Sequence, residues 1–599
     1  MTGRLRGAAF ALLVVATFAA FFVVQRVKRE PSDLREVRAT RLFSPNDDGV
    51  KDRARASFAL DRPDTVSVRV IDEDLEPVRT LVRNRPLAAG ERLRVRWNGR
   101  TDDGRVAPDG VYRYRVNLQD QGRAVLLPRI VTLDTKPPKP RVLSIGPSPT
   151  KPEILPLGDG GEARIRFYTP STKEPTDVLI YRTSPGVELV HETTVPAGED
   201  QTVWSGADEA GRPMRPGTYV VAVRTRDQAG NVGTSPSPLP PRAEYGTTLG
   251  GRGGITIREL GVQPTLEPSI AGSNVQFGVD ARRRPYRWSV RRVGVTRVDK
   301  DGRKTKPVVT FKAPDVKRSG LYLFEVRAGG RTTSVPLPIQ AVKTRKVLVV
   351  LPAITWQGRN AVDDDGDGWP NTLSGGLPVR RERVLADGLP GDLVRQIAPL
   401  LIFLDRQELR YDLTTDLALA AGVGPRIEGH TGVMLAGDER WLPVEQQREL
   451  RRFVRRGGVV ASFGVDSLRR QVRLTAERLV DPTAPTPADA FGATLAPLER
   501  AEDTTLTIFN DEIELFAGDV YGGTGVFTGY DVFEATRSVG DGQEIVASAA
   551  TDDGRKVIVA TRLGEGLVIR FGLPQLAERL GEPSNETELV RRTWTLLSG

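Results

Sequence analysis

The sequence predicts a multidomain chain with an N-terminal transmembrane helix, tandem all-β sandwiches and a C-terminal α/β doubly wound domain. Three observations carry this. At 599 residues the chain is far longer than a single hydrophobic core uses. Its only long apolar run lies at the N-terminus, over 7–24. The apolar pattern also changes near Lys346 from period-two alternation to strand, helix, Gly-Gly, strand. A hydrophobic content of 39% and a charged content of 27% suit a folded body, and 61 Gly with 44 Pro imply many turns.

The run 7–24 has Thr17 as its only polar member and about the minimum length that spans a hydrocarbon core. Arg4 and Arg6 precede it, and Arg26, Lys28 and Arg29 follow, so flanking charge does not fix its orientation. Past the run, Val23, Val24, Gln25 and Arg26 offer no small-x-small cleavage site. Residues 1–31 are therefore expected to be a cytoplasmic stub with an uncleaved anchor, the alternative being a cleaved, secreted chain. The expected location is the cell membrane, single-pass, with the bulk of the chain extracytoplasmic.

The absence of Cys removes disulfides, thiolate metal sites and Cys nucleophiles together. The net charge is +10, but the Arg residues are spread over every segment without interleaved aromatics, which excludes a nucleic-acid partner. A basic exterior instead suits an anionic wall polymer or lipid surface.

Two stretches repeat each other. Trp97, Gly99, Gly104, Gly110 and Tyr112 recur at one constant offset as Trp204, Gly206, Gly211, Gly217 and Tyr219. The alternation over 111–116 and 218–223 marks strands with one buried face, and the tryptophans are expected to anchor cores. With the segment FSPNDDGVKD at 43–52, the pattern resembles the flagellar hook-capping type of immunoglobulin-like domain, over 38–133 and 141–235. The resemblance implies a fold and leaves function open, because such modules serve as spacers, adhesion units and sorting domains alike. Within 43–52, Asn46, Asp48 and Asp52 form a small oxygen cluster that reads equally well as a turn. A Pro-rich stretch at 235–241 and the glycines Gly250, Gly251, Gly253 and Gly254 introduce a third β-sandwich, over 254–340.

From 345 to 599 the pattern is α/β. The apolar runs at 347–351, 433–436 and 459–463 read as buried parallel strands, and Leu450, Phe453 and Val454 form a helical stripe stopped by Gly457 and Gly458. The segments LPAITWQGRN at 351–360, RYDLTTD at 410–416 and AGDERW at 436–441 resemble the amidotransferase-like domain of the N,N-dimethylformamidase large-subunit family, a relative of class I glutamine amidotransferase folds. The resemblance implies iron held by two tyrosinates and a glutamate, polarising an amide and activating water. Tyr411 and Glu439 fall on two of those positions, and Arg359 stands where the family pattern has a Tyr. A guanidinium repels a cation, which argues against iron.

Cys-dependent amidotransfer is excluded because the chain has no Cys. Neither His191 nor His430 accompanies a Gly-x-Ser-x-Gly elbow, so a Ser-His-Asp hydrolase is not expected. Asp363, Asp365 and Asp367 alternate, with Gly368 sixth, the Trp369 carbonyl seventh and Asn371 ninth, as in the first half of an oxygen-ligand calcium loop. Ser374 replaces the bidentate Glu at the twelfth position, so weak structural calcium binding is expected.

The sequence therefore points to a membrane-anchored extracytoplasmic protein. Its β-modules present a non-catalytic amidotransferase-like domain to a cell-wall polymer, glycan or envelope protein. The rival reading is a metal-dependent amide hydrolase built on Tyr411 and Glu439, with Asp412 or Asp438 as acid or base.

Overall fold

A computed structural model describes residues 13–19, 21, 34–146, 156–157, 161–170, 173–247, 253–258, 260–386, 388–516, 526–581 and 583–599. Residues 13–19 and 21 are helical, and the rest of the predicted 7–24 span lies outside the described residues. Among the described residues no helix is long and apolar enough to cross a membrane. The single-pass anchor, with the membrane localisation and membrane contact drawn from it, is therefore corrected as unsupported.

Between 34 and 340 the chain builds two-sheet sandwiches. In the first, strands Leu34–Ala39, Ala54–Leu60 and Arg92–Trp97 form a small sheet. It faces a larger one built on Asp64–Ile71, Pro77–Leu87 and Gly110–Leu118. Strict alternation along Arg92–Trp97 sends Leu93, Val95 and Trp97 inward and the arginines between them outward. Trp97 is fully buried, with ring centroids 5.2 Å from Phe43 and 4.8 Å from Tyr112.

The second sandwich repeats this arrangement, with Trp204 at 5.6 Å from Tyr219. The repeated residues make the same bonds twice. Trp97 Nε1 donates to the carbonyl of Arg100 at 2.9 Å, and Trp204 Nε1 to that of Ala207 at 2.8 Å. The hydroxyls of Tyr112 and Tyr219 donate to the carbonyls of Pro108 and Arg215, a tyrosine corner in each module. Gly99 and Gly206, at φ +71° and +72°, permit the turn after each Trp. The cluster at Asn46, Asp48 and Asp52 is a turn, because each side chain accepts from a nearby backbone N–H.

The strand Gly254–Ile257 pairs with Gly217–Arg226 and so extends the second sandwich. The third sandwich packs Gly261–Gln263, Asn274–Asp280 and Val308–Lys312 against a five-stranded sheet that ends in Arg331–Gln340. Its core is an aromatic stack that includes Phe277 and Phe324, 4.1 Å apart.

The C-terminal sheet contains β1 (Val347–Leu351), β2 (Asp412–Thr415), β3 (Gly432–Leu435), β4 (Val459–Ser462), β5 (Glu499–Asp511), β6 (Val526–Phe533), β7 (Glu544–Thr551), β8 (Lys556–Leu563) and β9 (Gly566–Phe571). Its order is β2-β1-β3-β4-β9-β8-β7-β5-β6. Pairing is parallel from β2 to β9 and antiparallel from β9 to β6. The helices are α1 (Ala353–Arg359), α2 (Ala398–Arg406), α3 (Asp416–Ala421), α4 (Val444–Arg455) and α5 (Asn585–Ser598).

The expectation of an α/β doubly wound domain is thus corrected: the region is β-rich and its sheet is mixed. The physical reason lies in the links. β8 and β9 are joined by Gly564 and Glu565 alone, and so short a link closes only an antiparallel hairpin, whereas a parallel crossover needs a dozen or more residues.

Candidate functional site

Strands β1 to β4 run in the same direction, so the residues that follow them gather at one edge of the sheet. Ligands bind at such carboxyl edges in parallel α/β arrangements. After β1, α1 supplies Thr355, Trp356 and Arg359; after β2, Asp416 opens α3; after β3 come Asp438, Glu439 and Arg440; after β4 comes Asp466. Thr415 caps α3 by accepting from the Ala418 N–H, which fixes Asp416 in the first turn. A cleft of about 780 Å3 opens here, lined by Trp356, Arg359, Asp392, Asp438, Arg440 and Arg500 among others.

The cleft carries both signs of charge, held by a connected network. Asp392 accepts from Trp356 Nε1 at 3.1 Å and from the Leu393 N–H at 2.9 Å. Asp438 accepts from the Val465 N–H at 3.0 Å and from Arg440 at 3.2 Å, while Arg440 also reaches Asp466 at 3.1 Å. Burial pushes the Asp392 carboxyl up to about 6, with Asp438 adding to the shift. Asp416 is fully buried, and burial raises it to about 8 although the Ile354 and Leu417 N–H groups donate to its Oδ1. Glu439 is fully buried as well, and among the described residues neither of its carboxyl oxygens has a hydrogen-bond partner. Burial first, then the neighbouring Asp416 and Asp438, hold it well above the usual carboxylate range.

The structure does not bring Tyr411 and Glu439 together. Tyr411 immediately precedes β2, at the amino edge, whereas Glu439 follows β3, beyond the carboxyl edge. Four-residue strands at about 3.3 Å per residue separate the two edges by roughly 13 Å. Tyr411 instead donates to Asp405 at 3.3 Å. Asp405 in turn takes both prongs of Arg292 from the third sandwich, at 2.7 and 2.8 Å. Tyr411 therefore belongs to a joint between modules. Arg359 lines the cleft, is exposed and makes no ion pair with Glu439. These residues do not fit a two-tyrosinate, one-glutamate iron site, because two of the three positions lie at opposite edges and the third is cationic.

Asp412 lies in β2 and pairs with His430 at 3.1 Å at the amino edge, so it is not part of the cleft. His191 is bonded to Thr193 at 2.7 Å. Sequence reasoning missed Asp392, Asp416 and Asp466. The latter two had a usable signal, a carboxylate just after a parallel strand; Asp392 had none.

The acidic loop lies elsewhere. One carboxylate oxygen each from Asp363, Asp365 and Asp367 falls within 4.8 Å of the others, a spacing that suits a metal ion. Asp363 is nearly fully buried, accepts from the N–H groups of Asp365, Gly366 and Gly368, and is pushed up to about 7, by burial first. Gly366 and Gly368 sit at φ +79° and +87°, as the tight turn requires. Trp369 donates its N–H to Asp367. Asn371 turns its Nδ2 toward Asp365 and its Oδ1 toward the Asp364 N–H, so its side chain offers the cluster no oxygen. The loop docks on the second sandwich: Thr183 donates to the Gly368 carbonyl at 2.7 Å, and the Gly254 N–H to that of Gly366 at 3.0 Å.

Residues 290–488 match the family described as N,N-dimethylformamidase beta subunit-like, C-terminal. The match begins in the third sandwich and ends before β5, so it takes in β1 to β4 and none of β5 to β9. No curated protein matches the chain. Among solved structures, the chicken CNTN1 FN1-FN3 domains are 11% identical over 51% of this chain and 98% of that one, with a TM-score of 0.16. Extracellular domains 3–5 of Drosophila OTK are 11% identical over 52% of this chain and 98% of that one, with a TM-score of 0.12. At these scores neither likeness carries an argument. No match supports the hook-capping repeats or the glutamine amidotransferase-like assignment.

Proposed function

We propose that this is a modular binding protein whose C-terminal cleft takes an amide-bearing glycan, such as an N-acetylated amino-sugar chain, without hydrolysing it. The cleft itself is the observation that carries this reading. It lies at the edge where parallel sheets receive ligands, and it presents donors (Arg359, Arg440, Arg500) beside acceptors (Asp392, Asp438), as hydroxyl and amide groups require. The family match, named for an amide substrate, supports an amide-bearing ligand. Tyr411 and Arg359 stand where they do not serve a metal-dependent hydrolase.

The test uses tetra-N-acetyl-chitotetraose. Arg359 lines the cleft with no ion partner among the described residues, so Arg359→Ala is expected to keep the fold and to weaken binding about tenfold. Equal affinity of variant and wild type would contradict the reading. A second reading, amide hydrolysis, draws on the same family match and on the buried, raised Glu439 carboxyl. Mass spectrometry separates the two, because acetate released by the wild type and lost in Glu439→Gln would establish the hydrolase.

Asp363, Asp365 and Asp367 together form a calcium clip in this proposal. Bound calcium would offset most of the negative charge of the three carboxylates at the contact with the second sandwich and so couple that module to the C-terminal domain.

A further inference from the structure

A second groove, of about 820 Å3, opens between the first and second sandwiches. The first sandwich lines it with Arg41, Lys51, Arg53, Arg55 and Arg96; the carboxylates among its lining residues are Asp52 and Glu174. Strand pairing sets Arg55 of Ala54–Leu60 directly opposite Arg96 of Arg92–Trp97. Like charges in that position destabilise a sheet. Among the described residues, Arg41, Arg53, Arg55 and Arg96 have no carboxylate at ion-pair distance, although neighbouring Arg35 and Arg92 are paired with Asp61 and Glu36.

The groove is also rigidly framed. The Thr40 N–H donates to the Arg55 carbonyl at 2.8 Å, and the Arg55 N–H to Thr40 Oγ1 at 3.0 Å, which holds Arg41 beside the strand pair. Lys51 Nζ donates to the Gln228 carbonyl at 2.6 Å, Ser44 to Asn231 at 2.5 Å, and Arg226 pairs with Asp48 at 3.3 Å. These bonds lock the two walls together. No aromatic ring lines the groove, so it lacks the stacking platform that single-stranded nucleic acid uses.

We propose that this groove is a binding site for an anionic glycan, a sugar polymer bearing carboxylate or phosphate groups, held by Arg41, Arg53, Arg55 and Arg96. On binding, the opposed guanidiniums displace counterions condensed on the anionic polymer, so affinity falls steeply with salt. This site is independent of the C-terminal cleft.

The experiment titrates the full chain with polygalacturonate. Arg55→Gln/Arg96→Gln is expected to bind at least tenfold more weakly and to show a shallower salt dependence. Its melting temperature should be unchanged or higher, because a repulsion is removed. The control Arg69→Gln/Arg115→Gln removes an equally opposed pair from the module's other sheet and should change affinity less than twofold. Arg53→Gln, outside the strands, gives a second reading free of any effect on the sheet. Equal losses in both double variants, or no loss in the groove variants, would overturn the proposal. So would tighter binding of a DNA oligonucleotide than of polygalacturonate.

Discussion

Asp416 shows how far one buried carboxyl sets the protein's response to pH. Its folded-state value of about 8 lies far above its ordinary 3.8, chiefly through burial. Below about pH 4 the folded and unfolded chains both hold the proton. Above that the unfolded chain releases it and the folded chain does not, so stability falls by up to about 1.4 kcal/mol per pH unit until about pH 8. Glu534, raised to about 7, and Asp392, raised to about 6, act in the same direction, both mainly through burial. The melting temperature should therefore decline between pH 5 and pH 8. Asp416→Asn keeps an acceptor for the Ile354 and Leu417 N–H groups, and thermal denaturation should show a flatter decline with a gain on the order of 5 kcal/mol at pH 8. An unchanged slope would mean that Asp416 ionises freely. None of this was legible in the sequence, which showed Asp416 only as the end of RYDLTTD. Tyr411 and Glu439 were misplaced for a related reason: their motifs record neighbours along the chain, not which edge of a parallel sheet each neighbour occupies.

At the scale of elements, the acidic loop is fastened from behind by Arg383. This side chain is nearly fully buried and pairs with Asp364 at 3.0 Å. It also donates to the carbonyls of Gln357, Asn360 and Asn371. Arg383→Met leaves Asp364 and those carbonyls without partners, and chemical denaturation should show a loss of about 3–5 kcal/mol. Calcium at this loop is part of the proposed function. Calcium at a hundred times its dissociation constant stabilises by about 2.7 kcal/mol, so chelation should lower the melting temperature and Asp363→Asn should abolish the shift. The loop's spacing was legible because its ligands are local in sequence; its docking on Thr183 and Gly254 was not, since those contacts join distant segments. The same limit explains the sheet. Apolar runs identified β1, β3 and β4, but only the two-residue link at Gly564 and Glu565 revealed the antiparallel half, and a run of alternating or apolar residues does not state its direction.

Across the whole molecule, the repeat of Trp, Gly and Tyr was the strongest sequence signal, and it corresponds to two sandwiches with the same hydrogen bonds in the same places. How the modules meet was hidden, because each joint depends on single polar residues. Asn231, almost fully buried, accepts from Ser44 and donates to the Asp134 carbonyl at 2.9 Å. Asn231→Ala should cost about 1–3 kcal/mol and raise the radius of gyration in solution scattering as the first two modules loosen. An unchanged radius would show that other contacts hold the joint. The assembled modules carry two separate grooves, one basic between the first two sandwiches and one of mixed charge at the carboxyl edge of the C-terminal sheet. The second is the proposed site for the amide-bearing glycan. Isothermal titration calorimetry of the full chain with tetra-N-acetyl-chitotetraose tests it most directly, because binding and turnover give different heat traces. Binding without hydrolysis gives heat that saturates at one ligand per chain and returns to baseline after each injection; no heat, or sustained heat from continuing hydrolysis, would rule it out.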